Sequence, residues 1–84
     1  MYSFLFTKVA EKQFQDIEKA TKERILEKLK FFKNTENISP FLKKVQELGP
    51  ATHRLRVWNY RLLLKQEWEK FVVLKIWHRK EIYK

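Results

Sequence analysis

The amino-acid sequence predicts an α+β fold of order β-α-α-β-β-β, in which a helical hairpin packs on one face of a mainly antiparallel sheet and a basic cleft lies on the other. Apolar residues recur every three or four positions between residues 8 and 33, as in amphipathic helices. From residue 52 onward they alternate with polar residues, as in strands that have one buried face. Many of the alternate positions hold lysine or arginine, which predicts the basic character of the opposite face.

The composition indicates one folded domain over residues 1–84 and excludes several kinds of site. Hydrophobic residues make up 44% of the chain and aromatic residues 15%, which is enough for a packed core. The lack of cysteine excludes disulfide bonds, a cysteine nucleophile and cysteine-ligated metals, and the two histidines lie far apart. We therefore expect no metal and no cofactor. Because no apolar run approaches the length of a membrane span, we expect a cytoplasmic protein without membrane association.

The net charge of +9 points to a polyanionic partner, either a nucleic acid, an acidic protein or an anionic membrane surface. Residues 1–51 contain ten Lys and Arg against seven Asp and Glu, a net charge of +3. Residues 52–84 contain nine against three, a net charge of +6. Two-thirds of the excess thus belongs to the last 33 residues, which predicts that this half of the chain faces the polyanion.

The first half of the chain predicts one strand and two helices. Residues 2–6 form a short aromatic and apolar run that is typical of a strand. Within residues 8–33, Thr21 interrupts the apolar register and has the side chain of an N-cap, so we expect the second helix to begin there. The apolar residues predicted to lie in the core of this half are Phe4, Val9, Ala10, Phe14, Ile17, Ile25, Leu26, Leu29, Phe32 and Phe41.

Residues 34–50 predict an irregular connection. Asn34 can end the second helix, and Ser39-Pro40 can open a short helical turn that runs to about Lys44. Gly49-Pro50 then stops that turn and starts an extended segment.

Three strands are predicted within residues 52–77, with turns at Asn59 and at residues 66–70, which include Trp68. The strand residues predicted to face the helices are Leu55, Val57, Tyr60, Leu62, Leu64, Val72, Leu74 and Ile76. Those predicted to face away are Arg54, Arg56, Trp58, Arg61, Lys65, Val73, Lys75 and Trp77. His53 and His78 share the parity of the inward set, where a histidine is most simply a core residue.

Two motifs in this half resemble the RelE/ParE superfamily of toxins from type II toxin–antitoxin systems. The first is RLRxxNYR at residues 54–61, and the second is VVLKIxHRKEIY at residues 72–83. The resemblance covers the whole chain in order and implies a single toxin domain over residues 1–84. The tail, with His78, Arg79 and Tyr83, is most similar to the RelE-like, ribosome-dependent mRNA interferases of this superfamily.

That resemblance implies a metal-independent endoribonuclease that cleaves mRNA in the ribosomal A site. By it, Arg61 and Arg79 hold the scissile phosphate, and Tyr83 stacks on or orients the target nucleotide. The basic and aromatic residues implied to bind RNA or to lie beside it are Arg54, Arg56, Lys65, Lys75 and Trp77. Some members carry a lysine, proposed as general base, where this chain has Thr52, so the resemblance assigns no general base. The implied partners are an acidic antitoxin, the ribosome and mRNA.

Two other functions stay open at this point. A second branch of the superfamily inhibits DNA gyrase without catalysis, and a degenerate member would retain only antitoxin binding. The tryptophans also permit two interpretations, because Trp58 and Trp77 are predicted to lie among arginines and could stack on nucleotide bases. Alternatively, an acidic amphipathic helix of the antitoxin covers them.

Overall fold

Five strands form one mixed sheet in the part of the chain that the structure describes, and two helices cover one of its faces. The α+β class and the helical hairpin are as the sequence predicts, but the sequence predicts four strands rather than five. The structure is a computed structural model that describes residues 2–45 and 49–78. The elements are β1 (Ser3–Phe6), α1 (Lys8–Gln15), α2 (Lys19–Lys33), a 3₁₀ turn (Ser39–Phe41), β2 (Leu42–Lys44), β3 (His53–Val57), β4 (Tyr60–Glu67) and β5 (Lys70–His78). The strand order is β1-β5-β4-β3-β2, with β1 parallel to β5 and the other neighbours antiparallel.

The break between the helices lies earlier than the sequence predicts. The Thr7 hydroxyl caps α1 by accepting a hydrogen bond from the Ala10 N–H, and α2 begins after Glu18 rather than at Thr21. Thr21 is buried in the first turn of α2, where its hydroxyl donates to the Glu18 carboxylate at 3.3 Å. It is buried because it lies four residues before Ile25, on the helix stripe that faces the core.

The core forms between these helices and the inward side chains of the sheet. Ile25, Leu29 and Phe32 of α2 are buried there together with strand residues that include Leu62 and Leu64. The predictions for three other residues are wrong, because Val9, Leu26 and Phe41 are exposed. No helix in residues 2–45 and 49–78 is both long enough and apolar enough to cross a membrane.

Residues 42–44 form a strand, which corrects the prediction of a helix that runs to about Lys44. The 3₁₀ turn ends at Phe41, and the chain then pairs with β3, so that Leu42 lies opposite Leu55 and Lys44 opposite His53. This pairing satisfies backbone groups along the first half of β3 that would otherwise lie at a sheet edge. Asn34 ends α2, as predicted.

A bulge in β5 reverses the predicted orientation of its first half. Leu63 pairs with Lys75 whereas Leu64 pairs with Val73, so one extra residue of β5 lies at this point. Val73 therefore faces the core, and the predicted inward placement of Val72 and Leu74 is wrong. Beyond the bulge, Ile76 is buried and Trp77 faces away, as predicted.

Side chains from the start of the chain hold this bulge. The Thr7 hydroxyl donates to the Leu74 carbonyl at 3.0 Å, and the Thr7 N–H donates to the Val73 carbonyl at 3.1 Å. The Gln13 side-chain oxygen then accepts the Ile76 N–H at 2.7 Å. Because β1 pairs with β5 only as far as Val73, Thr7 and α1 supply the partners that β1 no longer provides.

Candidate functional site

The sheet face opposite the helices concentrates positive charge in two neighbouring rows of side chains, and these rows are called the outer face below. One row runs across three strands as Arg56, Arg61 and Trp77. The next row along the strands is Arg54, Leu63 and Lys75. Residues directly opposite in an antiparallel pair have Cβ atoms about 5 Å apart. The structure therefore brings five of the predicted site residues together: Arg54, Arg56, Arg61, Lys75 and Trp77.

Arg56 lies directly opposite Arg61 on the outer face, so two arginine side chains start from neighbouring positions there. Like charges at opposed positions destabilise a strand pair. An anion bound between two guanidinium groups reverses that repulsion and can accept two parallel hydrogen bonds from each of them. The pairing therefore marks this row as a candidate phosphate site.

Arg61 is the most buried cation of this group, with only 9% of its surface exposed. Its Nη1 donates to the carbonyl of Tyr60 at 3.3 Å, which restricts the rotation of the guanidinium group. Leu63, two residues along β4 on the same face, is also buried. An arginine that is already ordered and largely removed from water loses less entropy, and fewer water contacts, when it binds an anion than an extended surface arginine does.

The remaining predicted site residues lie away from these rows or outside the described residues. Lys65 is on the same face of β4 as Arg61, but it is four residues further along, about 13 Å at the usual rise of a strand. Within the two rows, by contrast, the Lys75 ammonium lies 5.7 Å from the ring centroid of Trp77, which is half-buried. Arg79 and Tyr83 lie outside the described residues.

The prediction that Trp58 faces away among the arginines is wrong. Val57 pairs with Tyr60, so Trp58 and Asn59 form a two-residue turn, and Trp58 adopts a positive φ of 56°. This conformation turns the indole ring toward α2, where the Arg24 guanidinium lies 4.2 Å from the ring centroid. The sequence does not distinguish Arg24 as a site residue, because it is one of several charged residues on the predicted solvent-facing side of its helix.

Both histidines lie on the helix side of the sheet, in agreement with their parity. The rings of His78 and Tyr60 make an edge contact, with 5.2 Å between their centroids. The rings of His53 and Phe71 do the same, with 6.0 Å between their centroids. Burial, and then the positive charge of Lys44, lower the pKa of His53 below 6.5. Among the described residues, no group of three His, Asp or Glu side chains is arranged to hold a metal ion.

Thr52 makes hydrogen bonds that connect the start of β3 with β4. Its hydroxyl accepts the Gln66 N–H at 2.8 Å, and its own N–H donates to the Leu64 carbonyl at 2.8 Å. Nδ1 of His53 lies 2.9 Å from the same hydroxyl. These contacts tie the start of β3 to β4 and use the threonine oxygen within the fold.

Comparisons with known proteins agree with this architecture. A family model described as the ParE toxin of the type II toxin–antitoxin system parDE matches residues 4–83. Among solved structures, the RelB–RelE antitoxin–toxin complex from Methanococcus jannaschii matches with 25% identity and a TM-score of 0.73, covering 94% of each chain. The archaeal RelE–RelB complex from Pyrococcus horikoshii OT3 matches with 24% identity and a TM-score of 0.73, covering 93% of this chain and 94% of the other. The RelBE2 complex from Mycobacterium tuberculosis matches with 22% identity and a TM-score of 0.76, covering 93% and 98%. A comparison with curated protein sequences finds no match.

Proposed function

The chain belongs to the ParE toxin family and is the toxin of a RelBE/ParDE-type toxin–antitoxin system, and we propose that it is an endoribonuclease that cleaves mRNA in the ribosomal A site. The observation that carries this proposal is the row in which Arg56 and the nearly buried Arg61 lie directly opposite each other beside Trp77. That row offers a clamp for a phosphate and an aromatic ring for a base. When the toxin is neutralised, a cognate acidic antitoxin is bound to it. When the toxin is free, it binds mRNA that the ribosome presents.

The proposed reaction needs little from the protein beyond geometry and positive charge. The 2′-oxygen of one nucleotide attacks its own 3′-phosphorus while the bond to the 5′-oxygen of the next nucleotide breaks. The products are a 2′,3′-cyclic phosphate and a free 5′-hydroxyl, so the proton lost by the 2′-hydroxyl is balanced by one gained at the leaving oxygen. This reaction can proceed without a metal ion, because fixed cations can neutralise the extra negative charge of the pentavalent phosphorus.

Arg61 is the residue to which we assign most of that stabilisation. Loss of one preorganised donor facing a developing oxyanion typically slows catalysis by about 10²–10³-fold. We assign Arg79 to the same phosphate and Tyr83 to the orientation of the target nucleotide, as the family resemblance implies. Arg54, Arg56, Lys65, Lys75 and Trp77 would bind the RNA on either side. An arginine is not the general base, because its pKa lies above about 12.

Inhibition of DNA gyrase is a second candidate, which the match to the ParE family model favours. On that alternative the outer face would bind a protein or DNA surface, and no RNA would be cut. Relaxation of negatively supercoiled plasmid with intact mRNA after induction would support gyrase as the target. A toxin that does neither, yet binds its antitoxin, would be a degenerate member.

The experiment that tests the ribonuclease proposal maps the 5′ ends of cellular mRNA after induction of the toxin. Wild type should produce new 5′ ends at codon-related positions and arrest growth, whereas Arg61→Ala should lose most of both effects. The matched control is Lys30→Ala, which also removes one positive charge but from the exposed face of α2. Unchanged 5′ ends with wild type, or equal cleavage by wild type and Arg61→Ala, would refute the assignment.

A further inference from the structure

A groove runs between α2 and the end of β3, beside the outer face, with which it shares Arg56. It has a volume of about 380 Å³, within the range of about 300–1,000 Å³ usual for small-molecule sites. Its lining, called the Trp58 groove below, consists of Arg24, Glu27, Lys28, Phe31, Arg56, Val57 and Trp58. Three cations and one carboxylate thus surround two aromatic rings, so the groove favours an anionic ligand that has a planar apolar part.

Trp58 is held in this groove at a cost to the backbone. Its φ of 56° lies in the left-handed region, which a bulky side chain rarely adopts and which costs about 1–2 kcal/mol relative to the usual conformations. A glycine or asparagine would fill the position without that cost. The indole ring nevertheless remains 52% exposed. Trp68 shares the positive φ and the exposed ring, so the feature that distinguishes Trp58 is its place in a groove lined by three cations.

The electrostatics of the groove suit a nucleotide. The Arg24 guanidinium lies 4.2 Å from the Trp58 ring centroid, and this cation–π contact orders both side chains before any ligand binds. Phe31, on the same stripe of α2 as Arg24 and Lys28, is half exposed. Alternation of exposed aromatic rings with cations is how proteins bind single-stranded nucleic acid, because bases stack on the rings while phosphates pair with the cations.

Arg56 joins the groove to the outer face. It lies in the row with Arg61 and Trp77, and it also lines the groove. β2 pairs with β3 only as far as Leu55, so β2 does not cover the last residues of β3 at this corner. Arg56 thus connects the row of Arg61 with the groove, and a strand of RNA whose phosphate is held at Arg61 could contact both through Arg56.

We propose that the Trp58 groove is a second nucleotide subsite, in which one unpaired base of the RNA stacks on Trp58 and an adjoining phosphate is held by Arg24 and Arg56. The proposal rests on the proposed function, since it takes RNA to be the substrate of the outer face. It adds a specific element, namely that the substrate extends around the sheet corner onto α2. Truncated RNA that stops at the outer face should therefore bind more weakly.

The test uses the full-length toxin and a fluorescently labelled single-stranded RNA hexanucleotide, with affinity measured by anisotropy. Stacking of one base on an aromatic ring predicts that Trp58→Ala weakens binding roughly 5- to 150-fold. The chain offers a closely matched control in Trp68→Ala. Trp68 occupies the first position of the other two-residue hairpin turn, with a φ of 62° and 93% of its surface exposed, so its loss should leave affinity unchanged.

Two further measurements separate stacking from folding and from general electrostatics. In the first, the base is removed from one nucleotide of the RNA at a time. At one position this should weaken binding to wild-type toxin as much as Trp58→Ala weakens binding to intact RNA. Binding of that abasic RNA should then be no weaker to Trp58→Ala than to wild type. Arg24→Gln should weaken binding more than Lys30→Gln, although both remove one charge from α2. It should also reduce the slope of log affinity against log salt by about 0.7.

The possible outcomes distinguish this proposal from the one on which it rests. If RNA binding depends on Arg61 but Trp58→Ala and Trp68→Ala behave alike, the subsite is refuted while the outer face stands. If wild-type toxin and Arg61→Ala bind the hexanucleotide with equal affinity, the proposed function itself fails. If Trp58→Ala leaves RNA affinity unchanged but weakens the complex with the cognate antitoxin, the groove is a protein-docking surface and the proposal is wrong.

Discussion

The hydrogen bond from the Ile76 N–H to the Gln13 side chain should hold the end of β5, and with it the outer-face residues Lys75 and Trp77. The bond is 2.7 Å long, partly buried, and connects residues 63 positions apart. Replacement of Gln13 by alanine removes the acceptor and leaves the Ile76 N–H facing the alanine at the place where β1 no longer pairs with β5. We therefore expect Gln13→Ala to destabilise the protein through this strand end.

The expected magnitude follows from two opposing effects. A buried or partly buried donor that loses its acceptor costs about 1–3 kcal/mol, and partial exposure places this one near the lower end. Alanine is a slightly better helix former than glutamine, by a few tenths of a kcal/mol, and offsets a small part of the loss. The net loss should be about 1–2 kcal/mol, which for a domain of this size lowers Tm by roughly 4–16 °C.

Urea and thermal unfolding measure this loss, with two variants as controls. Gln15→Ala changes an exposed glutamine of the same helix and should leave stability within about 0.5 kcal/mol of wild type. Gln13→Glu retains an acceptor oxygen and should recover most of the stability. Hydrogen exchange should also show faster exchange of the Ile76 amide in Gln13→Ala. Equal stability of Gln13→Ala and Gln15→Ala would show that the contact does not hold the strand.

Three further predictions concern stability. Phe32→Ala should destabilise by about 3–5 kcal/mol in urea unfolding because Phe32 is fully buried, whereas Phe31→Ala, next to it and 51% exposed, should cost less than about 1 kcal/mol; equal losses would contradict the assigned core. Because the pKa of His53 is lowered in the folded state, the folded protein binds fewer protons than the unfolded chain does. The free energy of unfolding should therefore be highest above pH 6.5 and should fall as the pH drops through the folded-state pKa. Unfolding at about pH 7.5 and about pH 5 should show a smaller decline for His53→Gln than for wild type. Trp68→Gly should raise stability by about 0.5–1 kcal/mol by relieving the left-handed backbone, and Trp68→Ala, which keeps a Cβ, should not.

The polar alternation along β3 and β4 made the outer face predictable from the sequence. Arg54 and Arg56 alternate with the buried Leu55 and Val57, so only one assignment of inward-facing and outward-facing residues fits. The third strand was harder, because residues 71–77 are a nearly continuous apolar run in which parity is ambiguous. Lys75 and Trp77 were placed correctly, since both lie beyond the bulge.

The bulge itself could not be predicted, because residues distant in sequence define it. Thr7 and Gln13 supply hydrogen bonds to β5 across more than 60 positions of the chain. Local periodicity contains no information about such contacts. The same limit applies to β2, whose three residues become a strand only because β3 lies beside them.

Trp58 was misplaced because its turn departs from the usual chemistry. Two-residue hairpin turns with a positive φ normally place glycine, asparagine or aspartate there, and tryptophan gives no such signal. Strand parity was therefore extended one residue too far. The contact between Trp58 and Arg24, and the groove that they line, follow from that single backbone conformation.

The proposal that the outer face cleaves RNA is tested most directly by incubating the purified toxin with ribosomes that carry a defined mRNA. We expect wild type to produce a fragment that ends in a 2′,3′-cyclic phosphate, with Arg61→Ala slower by about 10²–10³-fold. A single 2′-deoxy substitution at the cleaved position should abolish the cut, because the attacking oxygen is then missing. Intact mRNA with wild-type toxin, or cleavage that persists on the 2′-deoxy mRNA, would contradict this mechanism.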